Sequence, residues 1–256
     1  MSMLKIFSIY LLNIYKPLLF LGKMLNVRGV KIEFLGHDGF FITTIDGKRI
    51  VIDPYNVPDR IGKADLILIT HGHYDHCSLK DIEKVCKDDT EIVIPIDCQS
   101  KINKIIGDKM IKINIAVVGL KLKAAGLDVY PFPAYNIGKE FHPQEEGWMG
   151  YLLKLGKTII YHAGDTDKIP EMENLKYIAQ EDEEVVALLP VSGTYVMNVE
   201  EAVEAAKIIK PHLAVPMHYG AEVVKSGNEE LEDPQRFVSL CKENGINAEI
   251  LNKAAY

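Results

Sequence analysis

The chain has 256 residues, of which 48% are hydrophobic and 25% are charged, and its formal net charge is −7. This length and composition are ordinary for one large globular domain with a sizeable core. The negative charge argues against a general nucleic-acid binder that relies on a basic surface.

The first segment, residues 1–26, is predicted to be an apolar helical extension in front of a single domain at 27–256. Lys16-Pro17 interrupts its apolar stretches, and neither approaches the roughly 20 residues that span a bilayer. We expect the extension to pack on the domain or on a second copy of the chain, which leaves a homo-oligomer open. The alternative is contact with a membrane surface through interfacial aromatic anchors.

The cysteines form no C-x-x-C pair, and no secretory cleavage site follows the apolar start. We therefore expect reduced thiols and a cytoplasmic location. Cys77 directly follows His76 and is expected to fill space beside a site there. Its alternatives are a soft extra ligand or an oxidation-sensitive thiol.

The first half of the chain shows short alternating or apolar runs that are typical of strands. Pro54 ends one of these runs and leaves Asp53 at its carboxyl edge. Ser78 with Asp81 resembles a capping box at a helix start. We predict strands at 30–34, 40–44, 49–52, 66–70 and 91–94, helices at 79–86 and 100–105, and strands or a turn at 109–117.

The second half repeats this alternation of strands and helices. Asn198 is predicted to cap a helix whose apolar residues recur at helical spacing, and Pro211 marks its end. Gly245 closes a last helix at 234–243. The predicted strands lie at 126–131, 149–155, 158–162, 185–190 and 213–216.

Polar residues typical of metal sites follow strands in both halves. Two β-layers packed face to face with helices outside would bring such strand ends together. The predicted fold is therefore α/β, a four-layer αββα sandwich.

The densest chemical signal is the run His71-Gly72-His73-Tyr74-Asp75-His76, which follows the apolar run at 66–69. Imidazole and carboxylate groups are the ligands that zinc and similar divalent metals prefer. Alternate side chains of an extended segment point in different directions, so the run can serve two metals. Asp53, Asp165 and His218 also follow predicted strands, each a weak signal by itself.

These residues together resemble the metallo-β-lactamase superfamily, whose pattern runs from about Val30 to the end of the chain. Leu35-Gly36-His37, Ile52-Asp53-Pro54 and the segments 161–166 and 216–220 are similar to small metal-dependent hydrolases grouped with ascorbate-phosphate lactonase.

The resemblance implies two divalent ions, with Zn as the first expectation and Mn or Fe as alternatives. It places His71 and His73 on one metal, Asp75, His76 and His218 on the other, and Asp165 between them. Asp53 would accept a hydrogen bond from a ligand histidine, and His162 is expected to be a core residue or a similar outer partner.

One position departs from the pattern of the family. Relatives often carry a histidine where this chain has Asn136, a poor zinc ligand. His142 lies six residues later and is the preferred substitute, with Asn136 itself or a single-metal site as alternatives.

The substrate wall is predicted in the loop 133–150, which contains Asn136 and Trp148, although its aromatic residues could equally pack the sandwich. His37 would line the mouth of the site or bind backbone in its turn.

The predicted activity is hydrolysis of a small ester, lactone or phosphodiester by metal-activated water, with Asp75 or Asp165 receiving the proton. The alternatives are a nucleic-acid phosphodiesterase and a non-catalytic metal-binding member of the fold. An iron oxidoreductase is disfavoured because no length remains for a flavin domain.

Overall fold

The computed structural model describes residues 24–105, 107, 109–220 and 233–254. Most of the predicted extension, residues 1–23, therefore lies outside the described residues. In the part of the chain that is described, no helix is long and apolar enough to cross a membrane.

The described residues form two β-sheets. The first sheet follows chain order: β1 (Leu25–Val27), β2 (Val30–Gly36), β3 (Gly39–Thr43), β4 (Arg49–Ile52), β5 (Leu66–Leu68), β6 (Glu91–Ile94) and β7 (Lys112–Ile115). The second sheet has the order β13-β12-β11-β10-β9-β8. Its strands are β8 (Leu122–Ala124), β9 (Leu127–Pro133), β10 (Met149–Leu155), β11 (Thr158–His162), β12 (Glu184–Pro190) and β13 (Leu213–Met217).

Helices cover the outer faces of both sheets, so the predicted αββα sandwich of the α/β class is confirmed. The α-helices are α1 (Leu79–Val85), α2 (Gln99–Ile102), α3 (Val199–Ile209) and α4 (Pro234–Glu243). Segments of 3₁₀ helix occur at Ile96–Cys98, Gln144–Glu146 and Pro170–Tyr177.

Strand β5 shows why an unbroken apolar run becomes a central strand. Leu66 and Leu68 join the core cluster that also contains Tyr151 of the second sheet. Ile67 points the other way and shares a cluster with Ile82 of α1. Because successive side chains of a strand point to opposite faces, a strand covered on both sides must be apolar throughout.

The strands end at one edge of the sandwich. β4, β5 and β6 are parallel neighbours in the first sheet, as are β11, β12 and β13 in the second. The carboxyl ends of parallel strands meet at the same edge, so the residues that follow β4, β5, β11 and β13 are brought together.

Helices α1 and α3 both begin directly after the residues predicted to cap them, but only one of the two has a capping box. Asn198 caps α3 in a full capping box, with Asn198 accepting from the Glu201 N–H and Glu201 accepting from the Asn198 N–H. The box predicted at Ser78 is wrong. Ser78 Oγ donates to the Asp81 carboxylate, which is occupied by the backbone N–H groups of Asn56 and Val57.

Candidate metal centre

Sharp turns at the strand ends direct the site residues toward one point. His37, Asp53, His142 and His218 have φ angles of 53°, 42°, 51° and 56°. This left-handed region is uncommon for residues other than glycine, and such residues cluster at functional sites. The backbone N–H of His218 donates to the carbonyl of His37 at 2.9 Å, which joins the ends of the two sheets.

Asp165 lies at the centre of the cluster. Its Oδ2 lies 3.2 Å from Nε2 of His142, 3.2 Å from Nε2 of His218, 3.5 Å from Nε2 of His76 and 3.8 Å from Nε2 of His71. All five side chains are buried. One carboxylate oxygen therefore faces imidazole nitrogens contributed by both sheets.

The first candidate metal position is formed by His71, His73, His142 and Asp165. One ligand atom from each lies within 4.8 Å of all the others. His71 Nε2 and His73 Nδ1 are 2.9 Å apart, so both nitrogens converge on the same point.

His142, rather than Asn136, directs a ring nitrogen toward this position. The His142 Nδ1–H donates to the carbonyl of Tyr195 at 3.0 Å. The unprotonated ring nitrogen, Nε2, therefore faces Asp165 with its lone pair. The Asn136 amide donates to the same carbonyl at 2.7 Å. The assignment of His142 as a ligand stays a prediction.

The second candidate position lies around His76 and His218. His37 and Asp38 also offer ligand atoms within 4.8 Å of both. Asp75 lies next to this group, with its Oδ2 3.2 Å from Nε2 of His37. Asp38 follows His37 in the same turn, but no motif in the sequence marks it as a ligand.

Asp53 fixes the orientation of two of the histidines, and its role as an outer partner of metal ligands stays a prediction. It accepts a hydrogen bond from His76 Nδ1 at 2.9 Å and another from the Thr70 hydroxyl at 2.6 Å. Since the Thr70 hydroxyl gives its hydrogen to Asp53, it accepts from His71 Nδ1 at 2.9 Å. Both imidazoles therefore present Nε2 lone pairs to the centre.

His218 and His162 are held in different ways. Ser192 Oγ lies 2.7 Å from His218 Nδ1, which directs Nε2 of His218 toward Asp165. His162 Nε2 donates to the carbonyl of Asp38 at 2.9 Å, and its Nδ1 accepts from the Gly164 N–H. Both ring nitrogens of His162 are therefore used within the fold, and the residue supports the turn that carries Asp38.

The electrostatics of the cluster favour a charged Asp165 and separate the imidazoles. Burial lowers the pKa of His76, but Asp165 and Asp53 outweigh it and raise that pKa well above its usual range. Burial raises the pKa of Asp165, but His218, His76 and His142 outweigh it and hold that pKa well below its usual range. Burial and neighbouring imidazoles lower the pKa of His71 and His73. A neutral imidazole with a free lone pair is the form that binds a metal.

The pKa values of the neighbouring residues His37 and Asp38 are shifted in opposite directions. Burial and the nearby His218 lower the pKa of His37 to about 4. Burial and the carboxylate of Asp165 raise the pKa of Asp38 well above its usual range.

Several buried nitrogen and oxygen atoms of the cluster have no hydrogen-bond partner among the described residues. Atoms of this kind show whether the cluster fits a metal ion. Among the described residues, His76 Nε2, His142 Nε2 and Asp165 Oδ1 are buried with no hydrogen-bond partner. Unpaired buried polar groups are costly, and divalent cations at the two candidate positions would satisfy these atoms. The residues present therefore fit a divalent metal.

A cleft opens above the cluster, and aromatic side chains form part of its wall. Tyr74 and Phe141 are 60% and 42% exposed. Tyr74 and Tyr195 also line the cleft, although no sequence motif marks either of them as a site residue. The described residues lining the cleft are His73, Tyr74, Asp75, Phe141, His142, Asp165, Tyr195 and His218.

The residues predicted to bind substrate lie beside this cleft rather than among its described lining residues. His37 is 1% exposed and Asn136 is 7% exposed. Trp148 packs against His71 and His73, with ring centroids 5.0 and 4.9 Å apart, and its Nε1–H donates to Asp97. Trp148 therefore supports two candidate ligands, and its role toward substrate stays a prediction.

The family model described as the beta-lactamase superfamily domain matches residues 31–218. The chain therefore belongs to the beta-lactamase superfamily, as the sequence pattern predicted. The narrower resemblance to ascorbate-phosphate lactonase stays a prediction.

Within that superfamily, the chain is similar to proteins named UPF0173 metal-dependent hydrolases. One from Thermoplasma acidophilum is 34% identical over 227 residues, which cover 84% of this chain and 92% of the relative. Another from Nanoarchaeum equitans is 31% identical over 234 residues, which cover 88% of this chain and 97% of the relative.

Solved structures agree with this assignment. A putative metal-dependent hydrolase from Parabacteroides distasonis superposes with a TM-score of 0.73 at 29% identity, covering 91% of this chain and 99% of that chain. Igni18, a metallo hydrolase from Ignicoccus hospitalis, gives a TM-score of 0.67 at 25% identity, with coverage of 88% and 96%.

Proposed function

We propose that this protein is a divalent-metal-dependent hydrolase that cleaves small carboxylic esters or lactones. The observation that carries the proposal is the position of Asp165 Oδ2, which faces Nε2 of His71, His76, His142 and His218 at the floor of the cleft. The relatives are named metal-dependent hydrolases, and these names support the same class of reaction.

Two divalent metal ions would be held by the histidines and carboxylates around Asp165. His71, His73 and His142 would hold the first, and Asp75, His76 and His218 the second. A divalent metal at such a site lowers the pKa of a bound water toward neutrality and polarises the substrate carbonyl.

Asp75 would receive a proton during hydrolysis. It lines the cleft, and its carboxylate lies beside His37. Burial raises the pKa of Asp75, but the His37 contact and the His76 ring outweigh it and lower the pKa to about 2. Asp75 is therefore ionised at neutral pH and can accept a proton from water, as can Asp165.

The cleft wall supports an uncharged organic substrate. The rings of Phe141 and Tyr195 pack edge to face with centroids 4.6 Å apart, and Tyr74 lies among the other lining residues. Exposed aromatic faces favour contact with an apolar group, while the polar centre below would contact the scissile bond. This combination suits a small ester or lactone better than a phosphodiester.

The test compares turnover of lactones, carboxylic esters, phosphodiesters and phosphomonoesters after separate loading with Zn²⁺, Mn²⁺ or Fe²⁺. We expect a carbonyl substrate to give the highest kcat/KM. Asp165→Asn should lower it by more than about 100-fold, because even the outer partners of metal ligands contribute about 10- to 100-fold.

Asp167→Asn is the matched control. Asp167 is also buried and lies two residues away, but its carboxylate binds Lys139 and the Ile137 N–H instead of the histidines. Turnover should survive this change. Absence of turnover on every substrate with every metal would contradict the hydrolase, and turnover of phosphodiesters alone would contradict the carbonyl preference.

A further inference from the structure

The turn between β2 and β3 buries a carboxylate that the proposed hydrolase mechanism does not use. Asp38 is 0% exposed, and neither of its oxygens has a hydrogen-bond partner among the described residues. A buried charge without a partner is strongly unfavourable, so this carboxylate requires a cation or a proton close by.

The surroundings of Asp38 are those of the second metal position. Its Oδ2 lies 3.7 Å from His76 Nδ1, the ring nitrogen that donates to Asp53, and the carboxyl of Asp165 lies close by. Its ligand atom lies within 4.8 Å of those of His37, His76 and His218. Two neighbouring carboxylates inside a protein repel each other unless they share a proton or bind a cation together.

The turn that carries Asp38 is held rigidly in place. His162 donates to the Asp38 carbonyl at 2.9 Å, and the His218 N–H donates to the His37 carbonyl at 2.9 Å. Gly39 is closely surrounded, since a Cβ there would lie 3.1 Å from the Asp53 and Gly36 carbonyl oxygens. The position of the Asp38 carboxylate is therefore set by both sheets.

We propose that Asp38 is an additional ligand of the second metal and raises the affinity of this position for Mn²⁺ or Fe²⁺ relative to Zn²⁺. The proposal rests on the hydrolase function above. His76 and His218 would supply two nitrogens, and Asp38, Asp75 and Asp165 would supply oxygens. This set exceeds the four ligands of a tetrahedral zinc site, and carboxylate-rich, higher-coordinate sites suit Mn²⁺ better.

The test uses purified full-length protein stripped of metal and reloaded with equimolar Mn²⁺ and Zn²⁺. Bound metals are counted by elemental analysis after gel filtration, and Mn²⁺ affinity is measured by titration calorimetry. In Asp38→Asn we expect Mn²⁺ affinity at the second position to fall about 10- to 100-fold, and the bound Mn-to-Zn ratio to fall with it.

The stability of the metal-free protein gives a second readout. Because Asp38 makes no hydrogen bond that the substitution would break, metal-free Asp38→Asn should be at least as stable in urea as the unaltered chain, while the stabilisation by added Mn²⁺ shrinks. Asp38→Ser, which has a smaller side chain, should behave in the same way.

Asp81→Asn is the control, because Asp81 is buried but its carboxylate is bound by Ser78, Asn56 and Val57. It should lose stability without changing the metal ratio. Unchanged Mn²⁺ affinity and metal ratio in both Asp38 variants, or their failure to fold without metal, would overturn the role of Asp38. An unaltered chain that binds no metal would instead overturn the proposed function.

Discussion

Asn136 and His142 share the carbonyl oxygen of Tyr195, but only His142 directs a ring nitrogen at Asp165. The sequence left both residues open as the third ligand of the first metal, because spacing along a loop does not determine which side chain points inward. The left-handed backbone of His142 and its hydrogen bond to Tyr195 supply that information.

His142→Ala is therefore expected to lower bound metal by about one ion per chain, because the first position would keep only two of its histidines. Elemental analysis of the purified variant measures this loss directly. Asn136→Ala is the control and should keep the full metal content. Equal metal content in His142→Ala and the unaltered chain would remove His142 from the ligand set.

At the scale of elements, similar sequence signals led to different local structures. Residues 78–81 and 198–201 both place a capping residue three positions before an acidic one. Glu201 is free to complete its box, whereas the backbone N–H groups of Asn56 and Val57 bind the Asp81 carboxylate. A local pattern predicts a cap only where no tertiary partner competes for the carboxylate.

The cap of α3 gives a prediction at this scale. Asn198→Ala should lower the free energy of unfolding by about 1 kcal/mol, because the Glu201 N–H loses its side-chain acceptor. Urea denaturation of the metal-free protein measures this change. Asn198→Asp keeps a side-chain acceptor and should lose much less. A loss of bound metal in Asn198→Ala would contradict a purely local role.

At the scale of the whole molecule, the centre joins the two sheets. His71 and His76 follow β5 in the first sheet, whereas Asp165 and His218 follow β11 and β13 in the second. A cation held by both groups would bind the folded chain and not the unfolded one, so it would stabilise the sandwich as a unit.

Metal removal should therefore destabilise the entire fold in a single transition. The loss should be about 2.7 kcal/mol when free metal had been present at 100 times its dissociation constant. Thermal unfolding with and without a chelator measures it. In Asp165→Asn the chelator effect should largely disappear. An identical midpoint with and without chelator would contradict a metal shared between the sheets.

The sequence by itself determined the order of strands and helices, the αββα class and the dense ligand run at 71–76. Those properties follow from local periodicity and from residue chemistry, which the chain displays directly. The superfamily pattern also pointed to Asp53, Asp165 and His218.

Only the tertiary structure decided how these residues meet. It turned His142 inward, buried His37 and placed Trp148 against two candidate ligands. It also brought Asp38 to the second metal position. These outcomes depend on which strand ends share an edge and on backbone turns with positive φ, and neither is encoded in the spacing of residues along the chain.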